Sequence, residues 1–205
     1  MYRCLSVMTM LLLLSCHSTT SDRETSSNQI AQADEKEGQI KQTFSKSIRF
    51  NDKTVLVSVF GEGSIRTLRL EWSDSSRMER EVEGIVADAY FNDLDQNGSP
   101  ELYIMVNSAG SGGYGDAIVY LYSKDSFSEI KFPSPEPDNS LFNGYMGHDS
   151  IFISNNQLLR KFPVYRQGDP NSAPSGGERT LLYTLKCIEA GCGFSITALP
   201  KKGVD

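Results

Sequence analysis

Short segments that alternate between apolar and polar residues recur along most of this 205-residue chain, from about residue 54 onward. A period of two is typical of β-strands with one buried face, and Gly, Asn, Asp or Pro separates nearly all of these segments. The predicted strands are 54–60, 65–72, 84–91, 102–107, 117–123, 127–132, 150–154, 158–164, 180–186 and 194–199. No segment shows a sustained 3.6-residue apolar stripe. We therefore expect an all-β fold, a single antiparallel β-barrel or β-sandwich domain with long loops over residues 43–200.

The start of the chain has a different pattern, that of an export signal. Arg3 precedes a run of ten mostly apolar residues, which is far shorter than the roughly 20 that a membrane-spanning helix requires. The run ends in Leu-Leu-Ser-Cys at 13–16, which resembles a lipobox. The resemblance implies a signal peptide at residues 1–15 and acylation of Cys16, so that a lipid attaches the protein to a membrane. His17 follows the cysteine where an aspartate would favour the inner membrane, and by resemblance to known sorting we expect the outer membrane, facing the periplasm.

Residues 16–42, after the predicted cleavage site, consist mainly of Ser, Thr, Asp, Glu, Gln and Lys. Such a segment buries too little apolar surface to offset the entropy cost of ordering it. We expect a flexible linker with a root-mean-square reach of roughly 30 Å. Residues 201–205 form a short tail after the domain.

The charge of the chain is acidic, with 20 Lys and Arg against 26 Asp and Glu. Removing the signal with Arg3 leaves 19 basic and 26 acidic residues, a net charge of −7. No basic stripe is available to contact phosphates, so we expect no nucleic-acid partner. An acidic surface is compatible with a basic protein partner that is attracted over long range.

The cysteines divide by position. Cys4 leaves with the signal and Cys16 carries the lipid, so Cys187 and Cys192 remain as an even pair in an oxidising compartment. The predicted strands on either side indicate a disulfide that closes the end of a hairpin. A zinc site would need two further soft ligands, and none is nearby.

The segment that begins at Asp93 places oxygen-bearing side chains at alternate positions, as calcium-binding loops do. Asp93, Asp95 and Asn97 are followed by Gly98, but the acid that an EF-hand needs at its twelfth position is Ile104 here. The segment also resembles loops of integrin-type propeller repeats, which recur many times, whereas this one occurs once. The alternative is a strand-to-strand turn in which Asp, Asn and Gly hydrogen-bond locally. Calcium is thus a possible cofactor at this point, and no other cofactor is expected.

Residues 108–115 read Ser-Ala-Gly-Ser-Gly-Gly-Tyr-Gly, a glycine-rich loop between two predicted strands. The G-x-G-x-x-G spacing does not indicate a dinucleotide site, because a strand follows where the pyrophosphate would need a helix N-terminus. A nucleophilic serine would need a G-x-S-x-G elbow and a base, and neither is recognisable. Glycines let a backbone approach a partner closely, and Tyr114 adds an aromatic face with a polar tip. We interpret the segment as a binding loop, since a plain turn does not need eight residues with four glycines.

A second loop candidate covers residues 143–149. His148 and Asp149 are adjacent, and neighbours on a strand point to opposite faces, which argues against a catalytic pair. We expect His148 to be buried or to stabilise a turn. The alternative is a second contact loop, formed by Tyr145, Met146 and His148.

The glycine-rich loop carries a family resemblance. Residues 108–114 resemble the serine–glycine–tyrosine signature of the periplasmic inhibitors of invertebrate-type (I-type) lysozyme, and residues 93–104 are similar to the stretch that leads into it there. The resemblance implies an antiparallel β protein that pushes this loop into the active-site cleft of a lysozyme. The lysozyme-binding residues it implies are Ser111, Gly112, Gly113 and Tyr114.

Two functions from different classes follow. The first is a lysozyme inhibitor, a protein-binding lipoprotein of the cell envelope with an I-type lysozyme as its expected partner and no enzymatic activity of its own. The alternative is a calcium-stabilised carbohydrate- or matrix-binding module of the envelope that uses residues 93–101. An enzyme ranks below both, because no nucleophile–base pair or paired acids are visible in the sequence.

Overall fold

A computed structural model of the protein describes residues 40–123, 126–189 and 191–200, and their regular structure is almost entirely β. The described strands are β1 (Gln42–Phe50), β2 (Lys53–Phe60), β3 (Ile65–Trp72), β4 (Arg77–Glu83), β5 (Ile85–Asn92), β6 (Glu101–Asn107), β7 (Gly115–Ser123), β8 (Ser126–Ile130), β9 (Ser150–Ser154), β10 (Gln157–Pro163), β11 (Glu178–Ile188) and β12 (Gly191–Ala198). A 3-10 helix of three residues, Ser140–Phe142, precedes β9. The predicted all-β class is confirmed. The predicted signal peptide, the predicted lipidation site at Cys16, most of the predicted linker and the tail at 201–205 lie outside the described residues.

The strands form three antiparallel sheets of four, and each sheet is built from consecutive strands. Sheet 1 has the order β1-β2-β3-β4, sheet 2 the order β5-β6-β7-β8 and sheet 3 the order β12-β11-β10-β9. Antiparallel pairing of sequence neighbours accounts for this simple order; most connections within a sheet are short, and the segment 164–177 between β10 and β11 is the longest. None of these sheets closes on itself within the described ranges, so the barrel alternative is wrong and the arrangement is a β-sandwich.

Sheet 2 lies between two hydrophobic cores, and its strand β6 is buried on both faces. Leu102, Ile104 and Val106 pack with residues of sheet 1 in the first core. Tyr103 and Met105, which alternate with them, pack with residues of sheet 3 in the second core. Because successive side chains point to opposite faces, a strand between two cores is apolar at nearly every position. The loops at the two ends of β6 are therefore held by the most deeply buried strand of the structure.

A polar contact joins sheet 1 to sheet 2 at a β-bulge. The register of β5 against β6 shifts between Val86 and Asp88. The Asp88 carboxylate pairs with Lys46 of β1 at 2.6 Å and accepts a hydrogen bond from the Tyr90 hydroxyl at 2.6 Å. Partial burial opposes ionisation, but these two partners outweigh it and hold the pKa of Asp88 below its usual value.

The hairpin formed by β11 and β12 ends in a disulfide, as predicted. Cys187 and Cys192 are opposite each other in the strand register and are bonded. The bond closes the turn between the last two strands of sheet 3.

Candidate functional site

The glycine-rich segment at residues 108–114 connects β6 to β7 and is closed at its base by two hydrogen bonds. The Ser108 N–H donates to the Tyr114 carbonyl at 2.8 Å, and the Tyr114 N–H donates to the Ser108 hydroxyl oxygen at 2.9 Å. Within the loop, the Gly113 N–H donates to the Gly110 carbonyl at 3.1 Å. The loop backbone is thus held by its own ends and by a turn at its tip.

At two places a glycine lets the backbone lie unusually close to its neighbours. A Cβ on Gly112 would stand 2.3 Å from Cε2 of the Tyr114 ring. A Cβ on Gly147, which has a φ of +84°, would stand 2.2 Å from the Gly112 carbonyl oxygen. Both distances are far below ordinary contact, so these glycines fix how closely the Tyr114 ring and a second loop lie against the tip.

That second loop is the segment 143–149, and it packs directly on the first. The His148 N–H donates to the Gly112 carbonyl at 2.6 Å. The rings of Tyr114 and Tyr145 meet edge to face, with centroids 5.8 Å apart and planes at 65°. The structure therefore brings together the two loops that the sequence singled out separately.

A buried ion pair anchors both loops from below. Asp149 accepts hydrogen bonds from the Gly115 N–H at 2.8 Å and from the Tyr145 hydroxyl at 2.9 Å. Its other carboxylate oxygen lies 3.2 Å from Nε of Arg160, and both of these side chains are fully buried. Arg160 also donates to the Gly115 carbonyl at 3.0 Å. Burial, followed by the negative charge of Asp149, raises the pKa of Tyr145, so this phenol stays protonated and donates.

Arg160 is enclosed by aromatic rings, which adds to its attachment. Its guanidinium carbon lies 5.5–6.0 Å from the centroids of four rings. These rings belong to Phe132, Phe142, Tyr145 and Tyr183. A guanidinium over aromatic faces is attracted by the ring quadrupoles, most strongly where water is excluded.

The sequence analysis missed the role of Arg160 and considered Asp149 only as the neighbour of His148. A signal for Arg160 was present, since it lies midway between Leu158 and Phe162 on β10, and all three are buried. A charged residue at an inward position of an alternating strand indicates a buried partner. Its partner Asp149 could not be identified in the same way, because it lies in a loop.

A third loop, residues 164–177, supports the second. The Tyr165 N–H donates to the Gly144 carbonyl at 2.8 Å, and the Tyr165 hydroxyl donates to the Asn171 carbonyl at 2.8 Å. The His148 ring lies 3.2 Å from the Asn171 side-chain oxygen through Nε2. His148 is exposed, with a φ of 55°, so the expectation of a buried histidine is wrong.

The outer face of these loops presents an aromatic and an aliphatic side chain to solvent. We call residues 110–114 together with residues 145–148 the loop ridge. Within it Tyr114 is 47% exposed and Met146 is 45% exposed, while Ser111 is exposed at the tip. Tyr145 is half-buried and supports Tyr114 from the side. The loop ridge therefore presents a hydroxyl, a phenol and a thioether. Its backbone is held by the hydrogen bonds at the base of the first loop, by the second loop and by Asp149.

A groove of about 300 Å³ runs beside the loop ridge. Tyr114 and Tyr145 form one wall, and Glu83 and Asp116 contribute carboxyl groups to the lining. A partner that grips the ridge would meet negative charge next to the exposed phenol. Such a surface favours a partner with basic residues around its own binding site.

The Asp93 segment connects β5 to β6, so it lies at the opposite end of β6 from the loop ridge. Asp93 accepts from the N–H groups of Asn97 and Gly98 at 3.0 and 2.8 Å, and Asp95 accepts from the Asn97 amide at 2.9 Å. The predicted turn hydrogen bonds are therefore present. One oxygen from each of Asp93, Asp95 and Glu101 lies within 4.8 Å of the others. Glu101 was not among the predicted ligands.

Glu101, the first residue of β6, is a fully buried acid. Burial raises its pKa to about 7, although hydrogen bonds from Tyr103 and from the Leu94 N–H favour the charged form. Asn97, which the sequence placed among the oxygen ligands, uses its side-chain oxygen to accept from the Ser99 N–H at 2.7 Å. Among the described residues, Asp93, Asp95 and Glu101 are the acidic group whose oxygens lie close enough together to hold a cation.

A search of protein-family models, curated proteins and solved structures finds no match to this chain. Among the described residues, no helix has the length and apolarity that crossing a membrane requires. The fold and the site together define an all-β sandwich with a braced, tyrosine-bearing loop at one end of its central sheet.

Proposed function

We propose that this protein is a lysozyme inhibitor, a cell-envelope lipoprotein that inserts the tip of its loop ridge into the active-site cleft of an I-type lysozyme. The observation that carries the proposal is the half-exposed Tyr114, held on a hydrogen-bonded glycine-rich loop that a second loop braces. The resemblance of residues 108–114 to the signature of the I-type lysozyme inhibitors is the reason for proposing an I-type lysozyme as the target. Cys16 would carry the lipid and place the domain in the periplasm, next to the peptidoglycan that a lysozyme attacks.

The chemistry of lysozyme suits the two polar groups at the tip. A glycosidase of this kind uses two carboxyl groups, one protonated and one ionised. The Ser111 hydroxyl can accept from the protonated acid or donate to either group, and the Tyr114 phenol can donate to the ionised one. The intervening Gly112 and Gly113 keep the tip narrow, so that both side chains can enter a cleft made for a sugar chain. The loop would fill that cleft without offering a glycosidic bond.

The bracing of the loop ridge favours tight binding. A flexible loop loses conformational freedom when it is bound, and this cost reduces affinity. Here the His148 N–H, the Tyr145 ring and the Asp149 carboxylate hold the loop before any partner arrives. Rigid tyrosines are frequent among the few residues that dominate interface energies. The acidic protein would also be drawn toward basic lysozymes, most strongly at low ionic strength.

The test is a lysis assay with I-type, chicken-type and goose-type lysozymes, with and without the purified protein. We expect inhibition of the I-type enzyme by the wild-type protein. Ser111→Ala and Tyr114→Phe each remove one hydroxyl and are expected to weaken inhibition, and the double variant is expected to abolish it without a change in melting temperature. Ile188→Ala is the matched control, because Ile188 is 73% exposed on the β11–β12 hairpin, outside the loop ridge.

The outcomes of this lysis assay test the inhibitor function, the contact surface and the target class separately. A folded protein that inhibits none of the three lysozymes would remove the inhibitor function. Inhibition that the double variant retains would show that the loop ridge is not the contact surface. Inhibition of only the chicken-type or goose-type enzyme would contradict the proposed target class while keeping the mechanism.

A further inference from the structure

The three carboxyl groups at the β5–β6 connection are spaced as ligands of one ion. Two oxygens that both lie about 2.4 Å from a common Ca²⁺ can be at most about 4.8 Å apart. One oxygen from each of Asp93, Asp95 and Glu101 meets that limit with respect to the other two. Three carboxylates can supply up to six oxygens, which suits the flexible coordination of Ca²⁺ better than the strict octahedron of Mg²⁺.

An independent observation concerns the oxygen atoms of Glu101. Its side chain is 0% exposed, and Oε2 accepts from the Tyr103 hydroxyl at 2.9 Å and from the Leu94 N–H at 3.3 Å. Oε1 is buried and has no hydrogen-bond partner among the described residues. A buried carboxylate oxygen without a partner is costly, and a bound cation would remove that cost.

The charges around the carboxylate cluster also favour a bound cation. The salt bridges recorded between described residues involve none of Asp93, Asp95 and Glu101. One oxygen of each of these carboxyl groups lies within 4.8 Å of the others, so three ionised groups would repel one another at short range. A divalent cation would offset this repulsion and join the turn to the start of β6.

We propose that Asp93, Asp95 and Glu101 form a Ca²⁺ site that stabilises the β5–β6 connection. The site adds to the proposed function without depending on it. The seven residues of β6 separate it from the loop ridge by about 20 Å. A partner held at the ridge would not touch the ion, and the effect of the ion is on the stability of the central sheet.

The experiment measures the melting temperature of the chelator-treated, dialysed protein with and without added CaCl₂. At a Ca²⁺ concentration about 100 times Kd we expect a rise of roughly 5–10 °C. Glu101→Gln, which has nearly the same shape, and Asp95→Asn, in the exposed part of the turn, are expected to lose this rise. Asp74→Asn is the matched control, because Asp74 also accepts hydrogen bonds in a strand-to-strand turn, from Ser76, and is not part of the carboxylate cluster.

Terbium provides a readout that does not depend on stability. Tb³⁺ occupies calcium sites and is excited by nearby aromatic rings, and the Tyr103 hydroxyl lies 2.9 Å from a Glu101 oxygen. We expect Tb³⁺ emission on excitation of tyrosine, displaced by Ca²⁺ and absent in Glu101→Gln. A melting temperature indifferent to Ca²⁺ together with no displaceable Tb³⁺ emission would overturn the proposal. Retention of the Ca²⁺ response in both ligand variants would overturn it as well. Lysozyme inhibition by Glu101→Gln is measured in parallel, so that a failure of this site is distinguished from a failure of the inhibitor function.

Discussion

Gly112 offers the sharpest test of the loop ridge, because one added methyl group there displaces Tyr114 without removing any of its atoms. In Gly112→Ala the new Cβ would lie 2.3 Å from Cε2 of the Tyr114 ring. Ordinary carbon contacts are about 3.5–4.0 Å, so the ring has to move by about 1.2 Å or more. The backbone of Gly112 is outside the left-handed region, so alanine itself fits the local conformation. The perturbation therefore falls on the ring.

The Tyr114 ring contributes differently to folding stability and to the proposed binding of lysozyme. Moving the ring weakens its edge-to-face contact with Tyr145, which lowers the free energy of unfolding by up to about 0.5–1.5 kcal/mol. Alanine restricts the unfolded chain more than glycine does, and this raises the free energy of unfolding by about 0.4–1 kcal/mol. We expect the melting temperature to change by only a few degrees. If Tyr114 is a dominant contact residue, misplacing it costs at least about 2 kcal/mol of binding, which is about 30-fold in affinity.

The assay compares the inhibition constants of Gly112→Ala and Gly193→Ala against an I-type lysozyme. Gly193→Ala is the matched control, because a Cβ there meets nothing within 4 Å and Gly193 lies in β12, outside the loop ridge. We expect the control to inhibit like the wild type and Gly112→Ala to be weaker by about 30-fold. Equal inhibition by the two variants would refute the view that the position of the Tyr114 ring determines binding.

Three further predictions concern contacts that hold the fold. Asp149→Ala leaves the buried Arg160 cation unpaired, so we expect a loss of about 3–5 kcal/mol, which denaturant unfolding would measure; a loss below about 1 kcal/mol would contradict the role of this ion pair. Asp88 is paired with Lys46 and its pKa is lowered, so its ionised form stabilises the fold at pH values above the ordinary carboxyl pKa. This stabilisation is lost as the pH falls through the lowered pKa. The difference in melting temperature between wild type and Asp88→Asn should therefore narrow below about pH 4, and a constant difference would refute this. Replacing both cysteines of the Cys187–Cys192 disulfide by serine should cost about 2 kcal/mol, because the closed loop is short, and circular dichroism should show the β fold retained.

Ten of the described strands could be predicted from the sequence, because each contains alternating or continuous apolar residues bounded by turn-forming ones. Ile65–Trp72 and Ser150–Ser154 have the predicted bounds, and the other eight predicted strands overlap observed ones. The two strands that were missed, Gln42–Phe50 and Arg77–Glu83, are the edges of sheet 1. Arg77–Glu83 has charged residues at five of its seven positions, and Gln42–Phe50 has three apolar residues among nine, so neither stands out as an apolar segment in the sequence. The number of sheets depends on packing between distant segments, which a local pattern does not contain.

Part of the candidate site could likewise be predicted from local sequence, and part depends on contacts between distant residues. Composition was enough to single out the glycine-rich loop and the loop around Tyr145, since glycine and aromatic residues mark special backbone and contact roles. That His148 donates to Gly112, and that Asp149 pairs with Arg160, could not be predicted, because nothing local links residues so far apart. The carboxylate cluster was half predicted. Asp93 and Asp95 follow a known spacing, whereas Glu101 belongs to the strand and joins them only through the turn.

The pairing of Asp149 and Arg160 with Gly115 also has a consequence for folding. These contacts join residues 34 and 45 positions apart, and they need β7, β10 and the intervening loop to be in place together. Bringing such distant segments together costs loop-closure entropy, which the packing of sheets 2 and 3 has to offset. The shape of the loop ridge therefore depends on β7, β10 and the intervening loop being packed together. A chain in which β10 has not formed leaves Asp149 without Arg160 and cannot hold the Tyr114 surface in its final form, so the recognition of a partner that we propose requires fully folded molecules.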